Sequence, residues 1–550
     1  MVKADKRSWD QQKTITKEQG GNMPNVFNEI QSNTWTHIYD GRNSIFDFYK
    51  NTHILITGGT GFLGKALIEK LLRSCPDIKC IYLLLRHKKG KNEIERLDEL
   101  LQNPVFDRIR EFDGEIFKKI KPILGDVSLP NLGMNNEDLN VAIENLNIVF
   151  HSAATVKFNE DLKTALNYNT LGTKKVLDFC CNLKRLKSFV YVSTAFSNSD
   201  KENIKETVYE TPYDPEEIFN IIDNLSDYDL QVYTKRLLKN HPNTYILTKS
   251  IAEFEVLKYS RTLPCAIVRP SIITAAWKEP FPGWVDSISG ITGIFMECGR
   301  GTIKSILCNE KYRMDIIPVD IVVSTLITSA WHTVKHRSNS LRVYNCTSGQ
   351  INPITWCRFK ELTLKYTRAF PSKYVTWYPS FTYRTSKIIH MILAIFYQIL
   401  PSALLDIYLY AVGKKPIMLR ISKKFYDALL AGSFSSTREW NFQVCTMKSL
   451  TKAVQNAPDG HKFEIDITTD NGFQWAKYVE TFNLGVRKYI LKDDMKSMVE
   501  ARKKLRRLYW FQKIIEVFTI YITLRTFFPY MKRYFTNYFE RSVELQIFTD

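Results

Sequence analysis

The chain has 550 residues, 44% hydrophobic and 24% charged, which describes a globular protein with ample core and, by length, roughly three or four units of ordinary size. Its net charge of +19 invites a nucleic-acid partner, but the basic residues gather late and no nucleic-acid motif accompanies them. No nucleic acid is therefore expected; a phosphorylated ligand or an anionic membrane surface suits the charge better. Residues 1–45 are polar, carry Gly20-Gly21 and read as a loose leader without a secretory signal.

The stretch that organises the rest is Thr52 to Gly64, Thr-His-Ile-Leu-Ile-Thr-Gly-Gly-Thr-Gly-Phe-Leu-Gly. His53–Thr57 is a β-branched apolar run that predicts a buried strand, and Leu67, Leu71 and Leu72 recur at helical spacing after the glycines. Strand, glycine turn and helix in that order make a dinucleotide site. Gly58 permits the tight turn, Gly61 lets the backbone approach a pyrophosphate, and Gly64 lets the helix pack on the strand. Thr60, Phe62 and Leu63 complete the cradle at the positive helix end. Thr-Gly-x-x-Gly-x-x-Gly resembles the extended short-chain dehydrogenase/reductase superfamily. That resemblance implies a Tyr-x-x-x-Lys pair about 180 residues on.

From about 50 to 360, strand-like runs alternate with helical stretches. His53–Thr57, Cys80–Leu85, Ile148–Phe150, Phe189–Ser193 and Ala266–Val268 predict successive strands of a doubly wound parallel α/β sheet of Rossmann type. The second run ends in Arg86-His-Lys88-Lys89, where an NAD-preferring site would place an acidic residue; these cations suit a 2′-phosphate, so NADPH is the expected cofactor. Asp126 is placed to accept from the adenine amino group, although a solvated turn aspartate fits nearly as well. Ala153 and Ala154 follow the strand Ile148-Val-Phe-His and allow close approach of ribose and nicotinamide. His151 reads as a satisfied core histidine rather than an acid/base. Phe189-Val-Tyr-Val-Ser-Thr-Ala195 ends in two hydroxyls able to donate to a carbonyl oxygen; Thr194 matches the superfamily's catalytic position, with Ser193 close behind. The stretch 200–241 reads as a lid or a plain insertion.

Tyr245-Ile-Leu-Thr-Lys249 supplies the implied pair, 187 residues after Gly58. Its i, i+4 spacing puts both side chains on one helix face, where the Lys249 ammonium would lower the Tyr245 pKa from about 10 and ready it as a proton donor. Ten cysteines show neither a metal-ligand spacing nor a disulfide framework, so free thiols and no metal are expected.

Trp277-Lys-Glu-Pro-Phe-Pro-Gly-Trp284 after Arg269-Pro270-Ser, together with His151–Phe158, Val192–Ala195 and Glu69–Pro76, resembles the fatty acyl-CoA reductases, most closely their animal and insect branch. Gly413-Lys-Lys-Pro416 and Trp440-Asn-Phe442 resemble that family's carboxy-terminal domain. The resemblance covers roughly 38–490. It implies NADPH-dependent reduction of a long-chain or very-long-chain acyl-CoA to a primary alcohol through an enzyme-held aldehyde. Thr194 (or Ser193) and Tyr245 would act on the carbonyl oxygen, and Lys249 would also hold the nicotinamide ribose. The rivals are an extended reductase or epimerase acting on a steroid or nucleotide sugar, and a non-catalytic NADPH-binding membrane protein.

Four divisions follow: the leader 1–45, an NADPH-binding reductase domain 46–365, a mainly helical carboxy-terminal domain 366–490 with an apolar segment at 388–412, and a basic tail 491–550. Ile388–Leu405 is uncharged but broken by His390, Gln398 and Pro401, a borderline membrane span. Leu508–Tyr530, after the basic run Arg502–Arg507, reads as an amphipathic helix or a marginal span. Membrane lipid is the expected surrounding, at the endoplasmic reticulum with a cytosolic catalytic domain, or else at the peroxisome, although Phe548-Thr549-Asp550 is not a Ser-Lys-Leu address. The residues carry no signal for an oligomeric state.

Overall fold

The apolar runs form seven strands: β1 (His53–Thr57), β2 (Cys80–Leu85), β3 (Ile120–Leu124), β4 (Ile148–His151), β5 (Ser188–Val192), β6 (Cys265–Pro270) and β7 (Arg342–Cys346). The computed structural model describes residues 44–547 except 89, 212–214, 239–240 and 337–339. The expected leader up to residue 43, Lys89 and the terminal Phe548-Thr549-Asp550 therefore lie outside the described residues.

Spatial order is β3-β2-β1-β4-β5-β6-β7, with every pairing parallel. Ile54 and Ile56 of β1 face one core and Leu55 the other. Because both faces are covered, the central strands read as unbroken apolar runs. Direction of winding reverses between β1 and β4, which opens a crevice at their carboxyl ends. The two strands that periodicity missed, β3 and β7, are the edges of the sheet. An edge tolerates Lys121, Pro122 and Arg342, residues that hide a strand from an apolar-run reading.

Around the sheet lie α1 (Phe62–Ser74), α2 (Pro215–Asn224), α3 (Asp227–Leu238), α4 (Thr244–Tyr259), α5 (Ile291–Arg300), α6 (Val319–Lys335), α7 (Trp356–Ala369), α8 (Lys387–Ala411), α9 (Met418–Ser436) and α10 (Met498–Ile547). The described residues from Ser44 onward cluster as one compact unit. Asn441–Phe442 pairs in parallel with Asn203–Ile204, and Thr382–Arg384 with Ser305–Leu307. Asp459 accepts from the backbone N–H groups of Ile45 and Phe46 at 3.0 and 2.7 Å. The division expected at 365/366 falls inside α7.

The polar residues of the apolar run 388–405 do not interrupt its helix. His390 turns inward to Ser305 Oγ at 3.0 Å, and Gln398 donates to Ser422 O at 3.2 Å. A π-helical turn over Ile395–Ile399 leads into Pro401, so the helix carries on past the missing N–H. Ile388, Ile392, Phe396, Leu404 and Ile407 remain exposed. On α10, Arg502 and Lys504 donate to Ala369 O and Lys373 O at 3.2 and 3.1 Å, tying down its first turns. Further along, Ile514, Ile515, Val517, Phe518, Ile520 and Ile522 are all exposed. At 100° per residue they leave one side of the helix to Gln512, Glu516, Thr519 and Thr523. This segment joins a broad apolar face to a narrow polar one, in keeping with the expected amphipathic helix or marginal span.

Candidate active site

The glycine turn closes on itself. Gly58 has φ +76°, and a Cβ there would lie 2.8 Å from Ala153 N; one on Gly64 would lie 2.4 Å from Gly58 O. Neither position admits a side chain. Gly61 caps α1 without a side-chain hydrogen bond, and no acidic residue occupies the first turn. The first N–H groups of α1, at Phe62, Leu63 and Gly64, are thus left for an anion. Those three residues, with Thr60 and Gly61, line a cavity of about 1100 Å³ that starts at the crevice between β1 and β4. That exceeds the roughly 300–1,000 Å³ of a pocket for one small ligand. A dinucleotide fits the turn.

Arg86 and Lys88 also line this cavity. Arg86 donates to Tyr168 Oη at 3.0 Å and lies 3.6 Å from Asp126 Oδ2. Asp126 spends its other oxygen on Ser128 N and Oγ at 2.9 and 2.8 Å, which leaves Oδ2 on the Arg86 side. Arg96, which the sequence reading passed over, reaches back from the helix Glu93–Leu101 to Arg86 O at 2.5 Å and Thr60 Oγ1 at 3.3 Å. Burial and the neighbouring Arg86 charge lower its pKa, the signature of a cation pair that an anion would relieve. Its only signal in sequence was a basic residue one helix after the basic loop.

At the other end of the crevice, Ala153 and Ala154 follow β4, Ser193 and Thr194 follow β5, and Tyr245 and Lys249 share one face of α4; all six line the same cavity. Asn243 caps α4 through Ile246 N at 2.9 Å. The two hydroxyls differ in use. Ser193 Oγ donates to Glu253 Oε1 at 2.5 Å, whereas Thr194 Oγ1 accepts from Phe196 N at 3.3 Å and keeps its proton free to donate.

Tyr245 is half-buried beside Phe158, ring centroids 5.9 Å apart, and burial pushes its phenol up to about 12. Lys249 does not bring that value down. Its ammonium is committed to Val192 O at 2.7 Å and to the face of Tyr191 at 4.6 Å, and burial pulls it down to about 7 against the pull of Glu253. The expected lowering of the Tyr245 pKa is therefore reversed, and burial is the cause. The phenol stays protonated at neutral pH, as a proton donor must.

His151 is fully buried between Thr57 Oγ1 (2.7 Å) and Thr173 Oγ1 (3.0 Å), and burial holds it down at about 3, neutral and structural as expected. The segment 200–241 supplies no cavity-lining residue among those described. Ile218, Ile222 and Leu237 of α2 and α3 pack on Leu247 and Ile251 of α4, so it is a packed insertion that backs α4.

Buried Glu253 and Arg269 were not singled out for a role by the sequence. Arg269 Nε and Nη2 meet Glu253 at 2.8 and 2.6 Å, and Glu253 also accepts from Ser197 Oγ at 3.0 Å. Arg269 further donates to Lys205 O and Thr207 O at 2.9 and 2.7 Å. The pair fixes the loop after β5 to α4.

A seven-stranded parallel sheet with this turn and a Tyr-x-x-x-Lys helix defines an extended short-chain reductase that binds a nicotinamide dinucleotide. Family models described as "Male sterility protein" match residues 56–326, as an NAD-binding domain, and 397–493. Human fatty acyl-CoA reductase 1 is 35% identical over 466 residues, covering 84% of this chain and 90% of that one. Mouse fatty acyl-CoA reductase 2 is 35% identical over 462 residues, covering 84% and 89%. The Drosophila melanogaster protein CG8306 is 38% identical over 470 residues, covering 84% and 90%. The chain belongs to the fatty acyl-CoA reductase family and is an oxidoreductase. The reductase domain of a Mycobacterium tuberculosis nonribosomal peptide synthetase shares the fold, with TM-score 0.53 at 16% identity over 80% of this chain and 92% of that one. So does the terminal reductase domain of the myxalamid pathway, with TM-score 0.51 at 18% identity over 82% and 95%.

Proposed function

We propose that the protein reduces long-chain or very-long-chain acyl-CoA to a primary alcohol with NADPH, by way of an aldehyde kept on the enzyme. The observation that carries this is one continuous cavity joining the glycine turn, Thr194, Tyr245 and Lys249, and then a wholly uncharged extension. Arg86, Lys88 and Arg96 hold the 2′-phosphate, the N–H groups of 62–64 hold the pyrophosphate, and Lys249 holds the nicotinamide ribose. Bound there, NADPH supplies hydride to the carbonyl carbon.

Thr194 and Tyr245 donate hydrogen bonds to the thioester oxygen as negative charge grows on it. Collapse of the resulting hemithioacetal expels CoA thiolate and leaves an aldehyde between the same two hydroxyls. In the second reduction, after the oxidised cofactor is exchanged for a second NADPH whose hydride goes to the aldehyde carbon, Tyr245 transfers its proton to the alkoxide. Lys249, two per cent exposed and beside the reacting groups, offsets the charge left on Tyr245 until the proton is replaced.

Two helices support attachment to a membrane. Lys387–Ala411, of 25 residues, contains an 18-residue window of mean hydropathy 2.0, and Met495–Thr536, of 42 residues, contains one of 1.2. At 1.5 Å per residue each exceeds the ~30 Å of a bilayer core. The basic run Arg502–Arg507 at the head of α10 favours a cytosolic catalytic domain, at the endoplasmic reticulum membrane in our reading, with the peroxisomal membrane as the alternative for localisation by microscopy.

The test is NADPH oxidation by detergent-solubilised protein across an acyl-CoA series, with products extracted and identified. Alcohol at two NADPH per acyl-CoA, lost in Tyr245→Phe, is expected. Aldehyde as sole product would revise the reaction. No turnover at any chain length would reject it.

A further inference from the structure

Past the catalytic groups the cavity changes character. Every charged residue that lines it lies between 86 and 249; from 270 onward none is charged. This second lobe is walled by Phe295 and Cys298 of α5, Phe359 of α7, and Leu429 and Gly432 of α9, and those four side chains are at most 4% exposed. Protein interiors pack to the density of organic crystals, and an apolar hollow stays dry unless an apolar ligand fills it.

Gly432 stands inside α9, where glycine is the poorest helix former after proline. A Cβ built there meets only Ile294 Cδ1, at 3.9 Å. No neighbour demands the missing side chain. What its absence leaves is room.

We infer that the lobe built by α5, α7 and α9 holds the acyl chain of the substrate, and that the gap between Ile294 and Gly432 sets the chain length admitted. The inference rests on the acyl-thioester reading and adds to it: the carboxy-terminal region becomes the acyl-binding part of the enzyme, not only its membrane anchor. A chain entering this lobe places its carbonyl toward Thr194 and Tyr245 and leaves its CoA portion outside the lobe. The alternative arrangement leaves the acyl chain outside, in lipid or detergent.

The test compares kcat/KM over a series of saturated acyl-CoAs from medium to very long chain, for the unaltered protein, Gly432→Leu and Ile294→Ala. Each methylene kept out of the lobe lowers kcat/KM roughly four-fold, the equivalent of about 0.8 kcal/mol per buried methylene. If Gly432→Leu removes room for two methylenes, chains that reach the gap lose roughly fifteen-fold while shorter chains keep their rate. Ile294→Ala, which opens the gap, moves the optimum to longer chains. KM for NADPH stays unchanged in both, and melting temperature checks that both are folded.

Equal losses at all chain lengths in Gly432→Leu, with no lengthening in Ile294→Ala, would overturn the inference and leave acyl-CoA reduction intact. So would an unmoved profile in both. No turnover by the unaltered protein at any length would instead overturn the parent reading, and this one with it.

Discussion

Thr194→Val and Ser193→Ala separate two hydroxyls that stand side by side after β5. Thr194 Oγ1 receives a hydrogen bond from Phe196 N, which leaves its O–H to donate elsewhere; Ser193 Oγ donates its hydrogen bond to Glu253 at 2.5 Å. Removing a single preorganised donor to a developing oxyanion costs about 3–4 kcal/mol, or roughly 10²–10³-fold in kcat. Thr194→Val should lose that much, with KM for NADPH unchanged, because no cofactor contact is assigned to its hydroxyl. Ser193→Ala removes one of the partners of a buried carboxylate that also meets Ser197 and Arg269. Its cost should therefore fall on stability, about 1–3 kcal/mol, with kcat reduced less than about ten-fold. Stopped-flow NADPH oxidation gives the first number and thermal melting the second. If Ser193→Ala were as inactive as Thr194→Val while melting normally, the assignment would be wrong and Ser193 would be the donor.

Three further predictions use other parts of the site. Arg86→Ala and Arg96→Ala each lose a charge-assisted contact worth about 1.5–3 kcal/mol, so KM for NADPH should rise about 10–100-fold while NADH kinetics stay level; a parallel rise for NADH would show that the 2′-phosphate is not held there. Lys249, lowered from 10.5 to about 7, loses its proton in the folded chain first. Between about pH 7 and 10.5 the unfolded chain therefore binds the extra proton, so folding stability rises with pH while kcat/KM for NADPH falls; a rate that is flat up to pH 9 would remove the ammonium from the mechanism. Phe518→Lys with Ile522→Lys puts two charges on the exposed apolar part of α10, at about 2.5–3.5 kcal/mol each in a bilayer centre, and should release the protein to alkaline carbonate extraction; retention in the pellet would assign the anchoring to α8.

The parts legible in sequence were those that a single stretch of chain determines. Thr52–Gly64 contains its strand, turn and helix, and Tyr245 and Lys249 share a face by spacing alone. What depended on distant packing was hidden. Edge strands β3 and β7 lack the apolar run because only one side of each is hydrogen-bonded into the sheet. Lys249 was expected to act on Tyr245, yet its ammonium is held by Val192 O on another strand, and no spacing records that. Arg96 reaches Thr60 by lying back over a turn, which its helix position does not announce. His390 and Gln398 read as breaks in an apolar segment because the groups that bond them, Ser305 and Ser422, come from elsewhere in the chain.

Two of the stretches that carry the family resemblance do not touch the chemistry, and the reason is physical. Among the described residues, neither Glu69–Arg73 nor Trp277–Trp284 lines the cavity. They meet each other instead: Arg73 joins Glu69 at 2.7 Å and Glu279 at 3.0 Å, Lys70 pairs with Glu279, and Asp320 accepts from the N–H groups of Trp277, Lys278 and Glu279 at 2.9, 2.7 and 3.1 Å. Glu69 and Lys70 are buried, and removing one partner of a buried ion pair costs about 3–5 kcal/mol because it strands the other charge. A Cβ on Gly283 would lie 2.3 Å from Thr481 O, and one on Gly485 only 1.7 Å from Gly283 O, so the loop lies directly on the carboxy-terminal region. Phe62, at the start of the cofactor helix, packs on Trp284 with ring centroids 5.1 Å apart. The joint therefore ties α1, which carries the phosphate cradle at one end and Lys70 and Arg73 at the other, to the region that supplies the apolar lobe. A cavity that runs from a phosphate cradle to an apolar lobe needs those two walls fixed to each other, and the contacts between Glu69–Arg73 and Trp277–Trp284 provide that fixing.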